Sequence, residues 1–206
     1  MNHHAKPSPR PFAAIVLALS LALSACNTDT PVETQSEPPL AGADIGGEFE
    51  LTSSDGETVR WSDFDGQYRI VYFGYAYCPD VCPTDVQRMS QGLKQFAKDQ
   101  PKLAAKIQPI FITIDPARDT PDVLEEFTSA FSDKLIGLTG TEEQVREAAK
   151  VFRVTYARGA DTSNGSYLMD HQNITFLFGP KGEPLSMLPT DLGADAVTEE
   201  IAKWVK

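Results

Sequence analysis

Two cysteines, Cys78 and Cys82, are separated by three residues in YFGYAYCPDVCPTD, directly behind an apolar run. Thiolates so spaced can close a small disulfide, cycle between dithiol and disulfide, or hold a soft metal. As a staple the pair is weak: closing so short a loop gains only about 2 kcal/mol from chain entropy. As a redox pair it has a suitable setting, a strand end beside a helix start, although the usual redox motif separates its cysteines by two residues. The extra residue widens the bite between the sulfurs, which suits two ligands on one metal at least as well.

A metal asks for a third ligand. His3 and His4 lie in a leader segment, so His171, in YLMDHQNITFLF, is the only imidazole of the mature chain. It stands where a loop gives way to an apolar strand, whereas Cys78 follows one; the two meet if those strands are antiparallel neighbours. Two thiolates and an imidazole select copper by softness, with zinc the main competitor. Closed structural zinc sites normally take four protein ligands, and this chain offers three of that kind. On the residues alone, redox pair and metal centre both stand.

The elements that must position these groups follow from pattern. RIVYFGY and IQPIFITI are β-branched and aromatic runs suited to buried strands. Val86, Met89, Leu93 and Phe96 recur at helical spacing after the cysteines. Pro83 lacks an N–H and belongs in a first turn, so that helix is expected to start near Cys82 or Pro83. Cys78 to Cys82 would then form an exposed, rigid loop at a helix N-terminus, where the dipole and free N–H groups favour thiolates.

FELTSSDGETVRW has apolar ends about an Asp55-Gly56 turn, the signature of a hairpin. Thr120-Pro121 starts a helix expected to bury Val123, Leu124, Phe127 and Phe131. LIGL is a short strand. Thr141 and Gln144 form a capping box for a helix ending near Phe152. ARGADTSNGS should be a loop, and Tyr156 to Met169 has the composition for movement. ITFLF and PLSML make a second hairpin, and Val197, Ile201 and Trp204 mark a closing helix. Strands alternating with helices, then a hairpin and a helix, indicate an α/β sheet covered on both faces.

The N-terminus reads as an address. Lys6 and Arg10 precede an apolar stretch, Phe12 to Leu23, too short for an ordinary membrane span. It closes on Leu23-Ser24-Ala25-Cys26, the pattern of a bacterial lipoprotein signal, so residues 1–25 are expected to be removed and Cys26 lipidated. Residues 26–44 follow as a tether rich in Thr, Pro, Ser and acid, and 45–206 as one domain. Export places the two remaining cysteines where disulfides persist. The full chain carries a net charge of -11; Lys6 and Arg10 leave with the signal and no acid does, making it more negative still. Nucleic acid is thereby disfavoured as a partner.

CPDVCP after YFGY, TIDPARDTPDVL and YLMDHQNITFLFGPKGEPL resemble, in order and spacing, the three signature blocks of the SCO/SenC family of copper-binding proteins. The resemblance runs from about residue 45 to the C-terminus. It implies a thioredoxin-like fold with a central mixed β-sheet flanked by helices and an N-terminal β-hairpin. It also implies one copper, Cu(I) or Cu(II), on Cys78, Cys82 and His171. The family helps assemble the CuA centre of cytochrome c oxidase, as copper donor, thiol reductant or both.

The expected partners are accordingly the CuA-bearing subunit or another copper protein, with a further periplasmic copper chaperone or thiol reductant upstream. The expected location is the periplasmic side of the cell membrane, the inner membrane by resemblance, with the domain a lipid-anchored monomer and no enzyme with turnover. Asp170 precedes the histidine as in the family, while Gln172 stands where many members carry Ser or Thr. Asp80 and Asp115 are further candidates to tune the site. For Asp115 and Asp119, roles in turns and helix starts weigh more. Met169 reads as a core position, and Tyr75 and Tyr77 as packing around the cysteine turn.

Overall fold

Alternation of buried strands with amphipathic helices folds this chain around one sheet. The computed structural model describes Met1 and residues 37–162 and 165–206; the rest of the expected signal and Cys26 lie outside the described residues. The strands are β1 (Glu50–Ser53), β2 (Thr58–Arg60), β3 (Tyr68–Gly74), β4 (Ile107–Thr113), β5 (Ile136–Thr139), β6 (Tyr156–Asp161), β7 (Tyr167–His171), β8 (Thr175–Phe178) and β9 (Pro184–Leu188). The helices are α1 (Val81–Asp99), α2 (Pro101–Ala104), α3 (Pro121–Ser129), α4 (Glu142–Val151) and α5 (Ala194–Trp204). Seven strands form the main sheet in the order β2-β1-β5-β4-β3-β8-β9.

β3, β4 and β5 run parallel, and both flanks are antiparallel, so the sheet is mixed. β3 is buried along its whole length, as its continuous apolar composition requires of a central strand. Its alternate side chains serve two cores. Tyr72 stacks on Phe111, which packs on Phe127 of α3, while Phe73 meets Phe152 at the end of α4. Phe152 also contacts Phe49, Trp61 and Phe178, and the fully buried Arg69 lays its guanidinium 4.4 Å from the Trp61 ring. On the opposite face α1 and α5 touch closely enough that a Cβ on Gly92 would strike Val197. This is a thioredoxin-like fold with an N-terminal β-hairpin, β1–β2.

Several local expectations hold. Gly56, at φ +85°, makes the Asp55-Gly56 turn. Thr141 and Gln144 cap α4 reciprocally, at 2.9 and 3.2 Å. Val86, Met89, Leu93 and Phe96 form the buried face of α1.

α1 begins at Val81 with Pro83 in the first turn, in keeping with a start near Cys82. Others are corrected. Cys78 and Cys82 are both buried, Cys82 completely, so the turn does not expose its sulfurs. Of the residues assigned to the buried face of α3, Leu124 is buried; Val123, Phe127 and Phe131 are half-buried, and Phe131 lies beyond the helix. ARGADTSNGS, read as a loop, contributes most of β6 and leads into β7, and the two make a separate antiparallel sheet. Residues 40–46 pack on the domain, the first five of them in the stretch read as tether. Leu40 donates to the Leu185 carbonyl at 3.0 Å, Gly46 to that of Val151 at 2.9 Å, and Arg153 pairs with Asp44. Among the described residues no helix is long and apolar enough to cross a membrane.

Candidate metal centre

The topology that brings the thiols to the imidazole is the pairing of β3 with β8. They are antiparallel neighbours, Tyr72 opposite Thr175. The chain leaving β3 therefore meets the chain arriving at β8, and these carry Cys78 and His171. Sγ of Cys82 lies 3.3 Å from Nε2 of His171. The Cys82 amide donates to Sγ of Cys78 at 3.4 Å. Cys82 thus touches both other donors. Among the described residues no three His, Cys, Asp or Glu side chains are already drawn into metal-holding geometry.

The imidazole is oriented from behind. Its Nδ1–H donates to the Gln172 carbonyl at 3.0 Å, which leaves the Nε2 lone pair facing sulfur. Burial holds its pKa below the ordinary value, and burial pushes the Cys82 thiol well above its own. Both groups are therefore neutral, and the Cys82 S–H donates to Nε2. The Tyr72 and Tyr75 rings stand nearly perpendicular to the imidazole, at 6.4 and 6.0 Å between centroids.

Room for the Cys82 sulfur comes from Gly74, the last residue of β3. A Cβ there would sit 3.1 Å from Sγ, 2.7 Å from the Tyr72 ring and 3.1 Å from Phe111. The Tyr72 hydroxyl donates to Asp85 Oδ2 at 3.2 Å, and Asp85, one turn beyond Cys82, is buried enough to raise its own pKa. Neither Gly74 nor Asp85 was singled out by the sequence. A glycine ending a buried strand, and an aspartate at i+3 from a cysteine on a helix, were the available signals.

The remaining candidates part company. Asp80 is exposed, and its side chain makes no cap bond to α1. Asp170 is exposed on β7 and raises the His171 pKa only through its charge. Asp115 is buried, paired to Arg118, and accepts from the Tyr167 hydroxyl at 2.9 Å. Asp119 is fully buried and accepts from the Thr113 hydroxyl at 2.6 Å and the Ala76 amide at 2.9 Å, so it braces the turn just before Cys78. Burial raises its pKa to about 6. Met169 is buried, as is Tyr75, but Tyr77 is exposed. Gln172 closes the neck of the β6–β7 hairpin: its side-chain oxygen accepts from the Thr155 amide at 3.0 Å. The bond from His171 Nδ1 goes to the Gln172 main chain, so Gln in place of Ser or Thr leaves it intact.

Two thiols and one imidazole whose far nitrogen is tied off fit copper in donor type and number. Residues 37–206 match the SCO1/SenC family model. Protein SenC of Rhodobacter capsulatus is 37% identical over 207 residues, covering 98% of this chain and 91% of SenC. The human mitochondrial SCO1 homolog is 40% identical over 162 residues, covering 79% of this chain and 53% of the human protein. The chain thus spans about half the length of that curated relative and 60% of yeast mitochondrial SCO2. Among solved structures, Bradyrhizobium japonicum ScoI with copper bound aligns with a TM-score of 0.70 at 32% identity, over 78% of this chain and 99% of that one. Yeast Sco1 with copper bound gives 0.71 at 33% identity, over 79% and 88%. On a family match that takes in the whole folded domain, this chain belongs to the SCO1/SenC family.

Proposed function

We propose that this chain is a copper metallochaperone that binds one copper through Cys78, Cys82 and His171 and hands it to a CuA-bearing subunit of cytochrome c oxidase. The observation that carries the reading is the 3.3 Å approach of Cys82 Sγ to His171 Nε2, with Nδ1 already committed to a carbonyl. The copper-bound state of relatives at 32 and 33% identity supports it. Cu(I) is satisfied by the two thiolates, and Cu(II) gains from the imidazole. Uptake displaces the Cys82 proton, which the buried thiol holds tightly when no metal is present. The histidine rides on a hairpin outside the main sheet, so it can engage or withdraw while the cysteines stay on the body. Cys26 carries the lipid that holds the domain, as a monomer, on the periplasmic side of the membrane.

The test is titration of the reduced full chain with Cu(I) and Cu(II) against a competing chelator, without oxygen. One-to-one binding, lost in Cys78→Ser/Cys82→Ser and weakened for Cu(II) by about tenfold or more in His171→Ala, is expected. Weak binding indifferent to His171→Ala sinks the reading.

The second reading is a thiol–disulfide oxidoreductase that reduces cysteines of a partner. The 3.4 Å bond from the Cys82 amide to Cys78 Sγ favours it, because an N–H donor stabilises an attacking sulfur. Reduction of a partner disulfide would survive His171→Ala, whereas Cu(II) retention would not.

A further inference from the structure

The β6–β7 hairpin shares no strand pairing with the main sheet, yet its last residue, His171, must arrive at Cys82. The Thr155–Gln172 neck ties its two legs to each other. On the body, the Met169 backbone bonds to Tyr75. A further attachment is built on Arg118, from the segment after β4. Its Nε donates to the buried Asp115 carboxylate and one terminal nitrogen donates to the Tyr167 carbonyl at 2.9 Å. Its guanidinium lies 3.6 Å from the centroid of the Tyr167 ring, and the Tyr167 hydroxyl returns to Asp115 at 2.9 Å.

The same guanidinium lies 5.7 Å from the Tyr75 ring and 5.2 Å from the Tyr77 ring, on the two tyrosines that lead into Cys78. Its other terminal nitrogen is buried without a hydrogen-bond partner. Cation–π attraction grows as the cation is withdrawn from water, and the Arg118 side chain is half-buried among these rings. One side chain therefore touches the hairpin four residues before His171 and the cysteine turn one residue before Cys78.

We propose that Arg118 is the positioning residue of the metal centre: it latches β7 to the cysteine turn and so sets the placement of the imidazole ligand, while leaving the two sulfurs untouched. The proposal rests on the copper reading above. A lysine cannot replace it, because a point charge on a flexible stem cannot donate in a fork to Asp115 and to a carbonyl while lying flat on Tyr167.

The experiment uses the full chain in detergent, as wild type, Arg118→Gln, Arg118→Lys, Tyr167→Phe and His171→Ala. Two readouts are taken: amide hydrogen exchange without metal, and titration with Cu(I) and Cu(II) together with the Cu(II) nitrogen hyperfine signal. In Arg118→Gln the amides of β6 and β7 are expected to exchange about tenfold faster or more, with β3 and β4 unchanged. Cu(II) affinity should fall about tenfold or more and the nitrogen signal broaden, with Cu(I) affinity within about twofold. Arg118→Lys should follow Arg118→Gln, and Tyr167→Phe, which loses one hydroxyl, should change less in the same direction.

Unchanged exchange in the hairpin, or Cu(II) binding of wild-type affinity and signal in Arg118→Gln, overturns the latch. Faster exchange throughout β3 and β4 also overturns it, since Arg118 would then support the fold at large. If wild type takes up no copper, the copper reading fails by itself, and the exchange data still decide whether the latch exists.

Discussion

Cys82 and His171, 89 residues apart in the chain, are joined by a contact of 3.3 Å between Sγ and Nε2. Each comes from an element with a different anchorage. Cys82 lies in the first turn of α1, buried behind β3, and His171 ends a strand whose only strand pairing is with its own hairpin partner.

The space for that sulfur should be sensitive to a single methyl. Gly74→Ala places a Cβ 2.7 Å from the Tyr72 ring and 3.1 Å from Cys82 Sγ. Overpacking of this kind costs about 1–3 kcal/mol. Urea unfolding should register the loss, and Cu(I) affinity should fall with it because the sulfur is displaced. Wild-type stability would mean that Tyr72 swings clear.

The brace under the cysteine turn predicts a pH dependence. The Asp119 carboxyl has a pKa of about 6 in the fold, raised by burial from an ordinary 3.8. The folded state thus holds the proton more firmly than the unfolded chain. The stability this group contributes is full below about pH 4, declines as pH rises to about 6, and is level above. Asp119→Asn, permanently neutral, should lack that slope. Across the interval wild type should lose about 3 kcal/mol relative to the variant. Unfolding curves at several pH values check this, and parallel curves would place the proton elsewhere.

The neck of the hairpin can be opened alone. Gln172→Ala removes the acceptor for the Thr155 amide but leaves the main-chain carbonyl that takes the Nδ1 proton. A loss of about 1 kcal/mol is expected, with faster exchange of the hairpin amides. Cu(II) affinity should drop more than Cu(I) affinity. Equal loss for both ions would show that the neck also supports the cysteine turn.

Far from the site, Phe152→Ala should cost about 3–5 kcal/mol. The ring is fully buried and meets Phe49, Trp61, Phe73 and Phe178. In protein that still folds, copper stoichiometry should be unchanged, because this core lies on the face of the sheet away from Tyr72 and Phe111. Calorimetry and titration on one sample separate the two effects.

Much of this architecture was legible in residue order. Continuous apolar runs announced β3 and β4, the Thr141/Gln144 box announced α4, and the placement of Cys78 after one strand and His171 before another anticipated their meeting. The hairpin was not legible, because ARGADTSNGS is polar and glycine-containing and shows no buried alternation. Its strands pair over a surface that is exposed at most positions, so no hydrophobic period marks them. Burial of the cysteines was hidden for a different reason. The space Cys82 occupies is made by Gly74 and Tyr72 of β3 beside Phe111 of the neighbouring strand, a relation set by packing. Arg118 carries no mark in the sequence, because its role exists only once Tyr75, Tyr77 and Tyr167 converge.

The separation of the hairpin from the seven-stranded sheet has a consequence for how such a protein can diversify. Swinging β6 and β7 outward breaks no hydrogen bond of the main ladder, so the free energy of opening is independent of that of global unfolding. Residence time of the imidazole at the sulfurs and durability of the scaffold are therefore separate variables. Substitutions at the neck or around Arg118 can make the imidazole quick or slow to let go while the seven-stranded ladder keeps its hydrogen bonds.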